Sequence, residues 1–475
     1  MGPEATWAQL AWGRFCRLMS RIFYRRFEIV GRENIPDRGP VIFCANHVNA
    51  LVDAVVVQAS CPRTIHPLAR SGLFRTFYLR PILRMIQAIP VYRRHRLPDG
   101  TVAPASGSNE DSFRRCYEVL GEQRAILIFP EGQSHSDPKL RTLKTGAARL
   151  ALGALDANEE LPALVPVGLT FTHKGRFRAN VLVQYGSAIA FEHRDAGASD
   201  DTARDDTVRR LTAAIGEGLE AVTLNVDSWE DLSLMKLLQE FFTLRRSRNS
   251  SLGERFRSLQ QIIAAHRRLR FEEPDRVHLL REKLRRFARL CRRYGVRDYQ
   301  LDLRYHPLVV LRFVLRVLAF ALFVFPLALW GVLNSIVPYS ATRLASHLSA
   351  KGRDQYDTAG MIFGLGFFSI FWGLQSWLVF ERWGPVWALL YGTSLPLTSL
   401  VALAVGKERQ RILENVRVFF LFVRKSELRE YLRLKRQELE IEVARLARKA
   451  RSFTERELGT VPQGATVPKR ASRSG

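Results

Sequence analysis

Between residues 27 and about 191, short apolar runs alternate with stretches of helical period. The runs Phe27–Val30, Val41–Ala45, Thr64–Ala69, Ala88–Tyr92, Ala125–Phe129, Leu164–Phe171 and Asn180–Tyr185 predict strands. Segments 73–86, 110–121 and 144–156 between them predict helices. This alternation predicts an α/β domain, a sheet covered by helices. Residues 5–26 place Trp7, Ala11, Phe15, Leu18 and Ile22 on one helical face, with arginines beside it. Such a helix either packs on its own domain or lies on an anionic bilayer surface. Residues 95–109, with Pro98, Gly100, Pro104 and Gly107, predict a surface loop.

Further on the pattern changes. Residues 200–305 are polar and helical, with a dense basic run over Arg281–Arg304. Three apolar segments follow at 313–337, 360–380 and 385–405. The second and third are each long enough to cross a hydrocarbon core of roughly 30 Å, and only Glu381-Arg382-Trp383-Gly384 joins them. The first carries Arg312 and Arg316 at its start and Pro326 inside it. Three full crossings would put the basic run and the segment from Lys407 on opposite sides, against the positive-inside rule. The expectation is therefore a first segment that re-enters, bent at Pro326. Over Val423–Phe453 a charged helix has apolar positions Leu428, Leu432, Leu439, Val443 and Leu446, a packing or dimer seam. The tail from Gly459 has a disordered composition. The expected regions are an amphipathic membrane-associating helix (1–26), an α/β domain (27–195), a helical basic region (196–307), a membrane region (308–406) and a charged helix with its tail (407–475).

Charge narrows the partners. A formal net charge of +26 over 475 residues calls for an anion: nucleic acid, anionic lipid headgroups or a phosphorylated substrate. The basic residues are spread over every region without aromatic interleaving, which speaks against nucleic acid. Five cysteines without paired spacing fit neither a disulfide framework nor a zinc site, so a reducing compartment is expected. Arg14, Arg17 and Arg21 interrupt any signal-peptide core.

Four stretches carry candidate chemistry. In "CANHVNALVD", residues 44–53, His47 follows a strand and Asp53 stands six positions on. Histidine is the usual general base near neutral pH, and a carboxylate on its other nitrogen fixes the tautomer. On a regular helix six residues turn through about 600°, so the two side chains would face apart. They meet only if the strand leaves through an irregular turn and Asp53 sits on a helix that begins inside the motif. An incidental polar turn is the alternative. In "FPEGQSHSDPKLRTLKTGAARLAL", residues 129–152, Pro130-Glu131-Gly132 makes a tight turn, and Thr145 is placed to cap a helix beside Lys144 and Gly146. Helix N-termini and lysine both favour phosphate, although a solvated loop has the same composition. Ser134 lacks the second glycine of a nucleophile elbow. In "AIPVYRRHR", residues 88–96, Arg93 and Arg94 follow a strand and one of them can meet a phosphate. "LVPVGLTF", residues 164–171, predicts a core strand broken by Pro166.

In this order the four stretches closely resemble the glycerolipid acyltransferase family, which acylates glycerol-3-phosphate and lysophosphatidic acid. Asn46-His47…Asp53 looks like its first block, Ala88–Arg93 its second, Phe129–Gly132 its third and Val165-Pro166-Val167 its fourth. The resemblance covers about residues 27–191. It implies His47 as general base, Asp53 as its partner, and Arg93, Glu131 and Gly132 in the glycerol-phosphate site, with no metal or cofactor; Ser134 and Lys144 are further candidates for substrate binding. The chain departs from the pattern twice. The usual first block has one residue fewer between histidine and aspartate, and the usual third block continues Thr-Arg where this chain has Gln133-Ser134. Lys139, Arg141, Lys144 or Arg149 would then replace the missing arginine. Both departures are similar to the branch of fungal-type glycerol-3-phosphate/dihydroxyacetone-phosphate acyltransferases and their bacterial relatives.

The resemblance implies direct transfer from an acyl-CoA or acyl-ACP donor to glycerol-3-phosphate, with lysophosphatidate or another lysophospholipid as the alternative acceptor. Anionic membrane lipids are expected partners, and oligomeric state is left open. The expected location is a membrane with the catalytic domain cytoplasmic, a bacterial inner membrane rather than an endoplasmic reticulum. A non-catalytic basic protein that binds anionic lipid or nucleic acid, and a hydrolase using Ser134 with His135, are the competing readings.

Overall fold

The computed structural model describes residues 6–76, 79–92, 109–191, 201–243, 250–297, 300–301, 307–350, 352 and 355–459. Arg93, the 95–109 loop apart from Asn109, and the tail from 460 lie outside them. The chain divides into two units, Met1–Trp229 with Phe320–Ala404, and Glu230–Ala319 with Val405–Gly475.

The first unit holds β1 (Arg26–Val30), β2 (Val41–Ala45), β3 (Ile65–Arg70), β4 (Ile89–Val91), β5 (Ala125–Ile128), β6 (Ala163–Phe171) and β7 (Asn180–Tyr185). Its helices before Trp229 are α1 (Trp7–Phe23), α2 (Leu51–Ser60), α3 (Arg80–Met85), α4 (Asn109–Gly121), α5 (Gly146–Asn158) and α6 (Asp201–Val222). One sheet forms in the order β1-β7-β6-β2-β5-β3-β4. All neighbours pair parallel except β6 and β7. Every residue of β2 is buried, as a strand covered on both faces requires. Successive side chains alternate between the two covers. Val41, Phe43 and Ala45 join a cluster with Val52, Val56 and Val57 of α2. Ile42 and Cys44 join the opposite cluster, with Cys116 and Leu120 of α4, Leu150 of α5, and Leu211 and Ile215 of α6. The expected α/β domain is present. It includes α6, which the sequence pattern had grouped with the helical region. The helix expected over 73–86 is a 3-10 turn, Ser71–Arg75, followed by the short α3.

α1 packs on its own domain. A capping box between Thr6 and Gln9 opens it. It packs through Gln9, Gly13, Cys16 and Ser20, while Trp7, Leu10, Phe15, Leu18 and Ile22 are exposed. The bulky face is not the one that packs on the domain.

The second unit carries α7 (Trp229–Thr243), α8 (Leu252–Glu272), α9 (Pro274–Tyr294) and α10 (Pro307–Ala319). α11 (Phe325–Ser349), α12 (Tyr356–Trp383) and the start of α13 (Pro385–Arg424) return to the first unit, and the end of α13 with α14 (Ser426–Gly459) belongs to the second. The stripe on α14 is an internal seam in the second unit: Leu432, Leu439, Val443 and Leu446 are buried, and α14 packs against α8 and α9. Part of the basic run is engaged there, with Lys283 on Glu442 (2.8 Å) and Arg285 on Glu230 (2.9 Å).

Val314–Ser349, Tyr356–Trp383 and Pro385–Gly406 are helical, long and apolar enough to cross a membrane. Leu333, Leu378 and Leu389 on them are more than half exposed, a surface that water does not tolerate in such density. Pro326 does not break the helical run. The chain stays helical through a π turn at Phe320–Val324, and Pro326 falls in the first turn of α11, where its missing N–H leaves no bond unmade. Gly384 alone parts α12 from α13, at φ +87°, a conformation that glycine adopts without strain.

Candidate active site

The site lies past the carboxyl ends of β2 and β5, adjacent parallel strands, the usual place for a ligand crevice in such sheets. His47 follows β2, and α2 begins at Leu51, inside the motif, with Asp53 in its first turn. Ala50 makes this possible. Its φ of 46° and ψ of −129° turn the chain sharply before the helix, and few residues other than glycine take up that region.

The couple forms. His47 Nδ1 lies 2.9 Å from Asp53 Oδ2. The same oxygen accepts the backbone N–H groups of Val48 (2.8 Å) and Asn49 (2.7 Å). Asp53 is fully buried, while the His47 side chain keeps 18% exposure. The carboxylate accepts Nδ1–H, so the proton sits on Nδ1 and Nε2 presents a lone pair. Among the described residues Nε2 has no hydrogen-bond partner. Phe129 stacks on the ring at 4.1 Å and 18°, fixing its plane.

Glu131 requires a correction. Expected at the substrate, its carboxylate is enclosed by protein donors. Oε2 accepts the His47 backbone N–H at 2.6 Å, and Oε1 accepts His135 Nε2–H at 2.6 Å and the Arg141 N–H at 3.0 Å. Its side chain is 0% exposed, so it ties the two loops together out of a substrate's reach. His135 is also committed, since its Nδ1 accepts the Asp137 N–H (3.1 Å) and its own N–H donates to the His47 carbonyl (3.1 Å). With both ring nitrogens engaged, it cannot serve as base to Ser134, which is half-buried on the same loop. Burial pushes the Cys44 thiol up to about 12, so the cysteine nearest the couple in sequence is no nucleophile.

Gly132 and Lys144 are brought together. Gly132 has φ +72°, and a Cβ there would meet Lys144 Cδ and Cε at 2.9 Å and Nζ at 3.0 Å. Lys144 is exposed and anchored by its backbone N–H to the Pro130 carbonyl (2.8 Å). Of the other candidate cations, Arg141 bonds Asp137 (2.6 Å) and Arg149 bonds Asp205 (3.1 Å). Thr145 stands at the N-cap of α5 but its side chain makes no capping bond, contrary to expectation, because its backbone is already helical. Lys174, which the motif reading passed over, donates to the His135 carbonyl at 3.2 Å.

Asp357, in the first turn of α12, was also missed. Its Oδ2 accepts Asn49 Nδ2–H at 2.7 Å, and both residues are buried. The neighbouring Tyr356 packs on Gly175. Asn49 thus grips Asp53 by its backbone and Asp357 by its side chain. Asp357→Ala leaves a buried amide without an acceptor and is expected to lower stability by about 1–3 kcal/mol. In a double-mutant cycle read by unfolding in detergent, Asn49→Ala should add little to that loss. Full additivity would show that the bond contributes nothing.

Residues 26–170 match the Acyltransferase family model. The chain is 27% identical over 226 residues to glycerol-3-phosphate O-acyltransferase 2 of Saccharomyces cerevisiae, covering 45% of this chain and 29% of that protein. It is 30% identical over 125 residues to a 1-acyl-sn-glycerol-3-phosphate acyltransferase of Borreliella burgdorferi, covering 26% of this chain and 45% of that protein. It therefore spans less than half the length of either relative. The crystal structure of the 1-acyl-sn-glycerophosphate acyltransferase PlsC from Thermotoga maritima superposes with a TM-score of 0.30 at 17% identity, over 45% of this chain and 80% of that one. Residues 26–170, with the His47–Asp53 couple and the Glu131 turn among them, are an acyltransferase-family domain.

Proposed function

We propose that the protein is a membrane-bound glycerol-3-phosphate O-acyltransferase acting in phospholipid synthesis. The observation that carries this reading is the His47–Asp53 couple at 2.9 Å with Nε2 unpartnered among the described residues, in an acyltransferase-family domain. His47 Nε2 takes the proton from an acceptor hydroxyl while Asp53 stabilises the imidazolium. The hydroxyl oxygen attacks the carbonyl of an acyl thioester, the tetrahedral adduct collapses, and the C–S bond breaks. The thiolate leaves with the proton held by His47. Neither Ser134 nor Cys44 is needed as a nucleophile.

Lys144 over Gly132 supplies the cation for the acceptor phosphate, and Arg93 joins it as the resemblance implies. Glu131 and Asn49 are positioning residues. The apolar helices α11 to α13 hold the domain at a bilayer, beside a donor chain and a product that water does not dissolve. The catalytic domain faces the cytoplasm, at a bacterial inner membrane. CoA and acyl carrier protein both suit the basic surface as donor carriers.

The experiment is an acceptor panel. Purified protein in detergent receives a labelled acyl-CoA and, separately, glycerol-3-phosphate, dihydroxyacetone phosphate and 1-acylglycerol-3-phosphate. The expected order has glycerol-3-phosphate first. A preference for the monoacyl acceptor would move the assignment to the second acylation step, which the Borreliella relative's name favours. Transfer to none of the three would defeat it.

A further inference from the structure

We infer a phosphate-binding pocket between α1, the end of α2 and β1, sharing no residue with the His47–Asp53 site. Its natural occupant is the phosphate of an anionic phospholipid. The cleft, about 360 Å³, is lined by Arg17, Arg21, Arg25 and Arg32 and by no acidic residue. None of the four guanidiniums has a carboxylate partner among the described residues. Elsewhere in the chain arginines commonly find one, as Arg141 does on Asp137 and Arg281 on Asp231.

The bland account is that arginine near a helix C-terminus meets the negative end of the helix dipole. That covers Arg21, in the last turn of α1. It leaves Arg32 unexplained, which comes from the 3-10 turn after β1, and it gives no reason for four cations to face one hollow. Like charges so placed repel one another unless an anion joins them. Planar guanidiniums from separate elements fit the oxygens of a phosphate better than those of a single carboxylate.

A second observation points the same way. Ser20 lines the pocket and is 1% exposed, yet its hydroxyl has no hydrogen-bond partner. Buried hydroxyls normally have one. A phosphate oxygen in the pocket would accept that O–H.

The surroundings indicate a lipid-borne phosphate. Arg17 and Arg21 stand on the flank of α1 between its packing face and the exposed face of Trp7, Leu10, Phe15, Leu18 and Ile22. With that apolar face in the interfacial layer of a bilayer, the flank meets the headgroup phosphates. Phe27 and Ile29 line the pocket as well and would cover the glycerol end of such a headgroup.

The test is a calorimetric titration of the full chain in detergent with dihexanoyl phosphatidic acid and, in a second arm, with inorganic phosphate. Binding is read directly, so the result stands apart from the proposed activity. The pocket pair Arg25→Gln/Arg32→Gln is compared with a charge-matched pair, Arg38→Gln/Arg84→Gln, exposed positions outside the pocket. The pocket pair should weaken phosphatidic acid by about ten-fold or more and the control pair by less than about two-fold. Ser20→Ala should weaken it too with an unchanged melting temperature, because its hydroxyl bonds nothing in the protein. Loss confined to phosphatidic acid assigns a lipid phosphate. Loss in both arms assigns a phosphate site open to soluble anions as well. Equal behaviour of the two pairs in both arms would overturn the site.

Discussion

His47→Ala is expected to lower acyl transfer by about 10²–10⁴-fold, the range that a positioned general base contributes, with membrane insertion and fold retained. The substitution removes a ring that keeps 18% exposure, and its backbone N–H still reaches Glu131, so the loops stay tied. Asp53→Asn should fall within the same range while keeping the side-chain volume. An amide oxygen can still accept from Val48 and Asn49, but it carries no charge to stabilise an imidazolium. Because the two residues act as one unit, the double variant should fall little further than either single one. Initial rates with a labelled donor, at matched protein in washed membranes, measure all three. Turnover within a few-fold of wild type in His47→Ala would remove the base from the mechanism.

The second large effect concerns Glu131. Glu131→Ala leaves the His47 and Arg141 N–H groups and the His135 ring N–H facing a void where a carboxylate stood at 2.6–3.0 Å. Each buried donor left unpaired costs about 1–3 kcal/mol, so a loss of about 3 kcal/mol or more is expected. Turnover should fall alongside stability, since the strand-end loops carrying His47 and Gly132 would be joined by the His135 N–H to His47 carbonyl bond and no longer by the carboxylate. Glu131→Gln should be milder, as its amide oxygen can serve one of the two loops. Denaturant unfolding and steady-state kinetics on the same preparations separate the possibilities. Unchanged stability with only a raised acceptor KM would mean that the carboxylate meets substrate directly.

Much of this architecture was legible because the strands are buried on both faces. Continuous apolar runs such as Val41–Ala45 and Asn180–Tyr185 have sharp polar limits, and the structure reproduces those two limits unchanged. The geometric condition on the motif was legible too: a couple six residues apart closes only through an irregular turn, and Ala50 supplies it. What escaped depends on partners that local pattern does not encode. The bulky face of α1 reads as either a packing face or a bilayer face, and the pattern does not show that Gly13, Cys16 and Ser20 make the contact with the domain instead. The π turn over Phe320–Val324 that precedes Pro326 has no signature in the apolar run. Asp357 stands 308 residues from the amide it holds, and no periodicity links them. Glu131 looked available to substrate because a motif displays residue types, not burial.

The most direct test of the central claim is the position of one proton. In protein with ¹⁵N-labelled histidine, the difference spectrum between wild type and His47→Gln isolates the ring of residue 47. The neutral ring should carry its hydrogen on Nδ1 and show a bare, pyridine-type Nε2, with the N–H signal shifted in Asp53→Asn. A proton found on Nε2, or a ring signal indifferent to Asp53, would contradict the account.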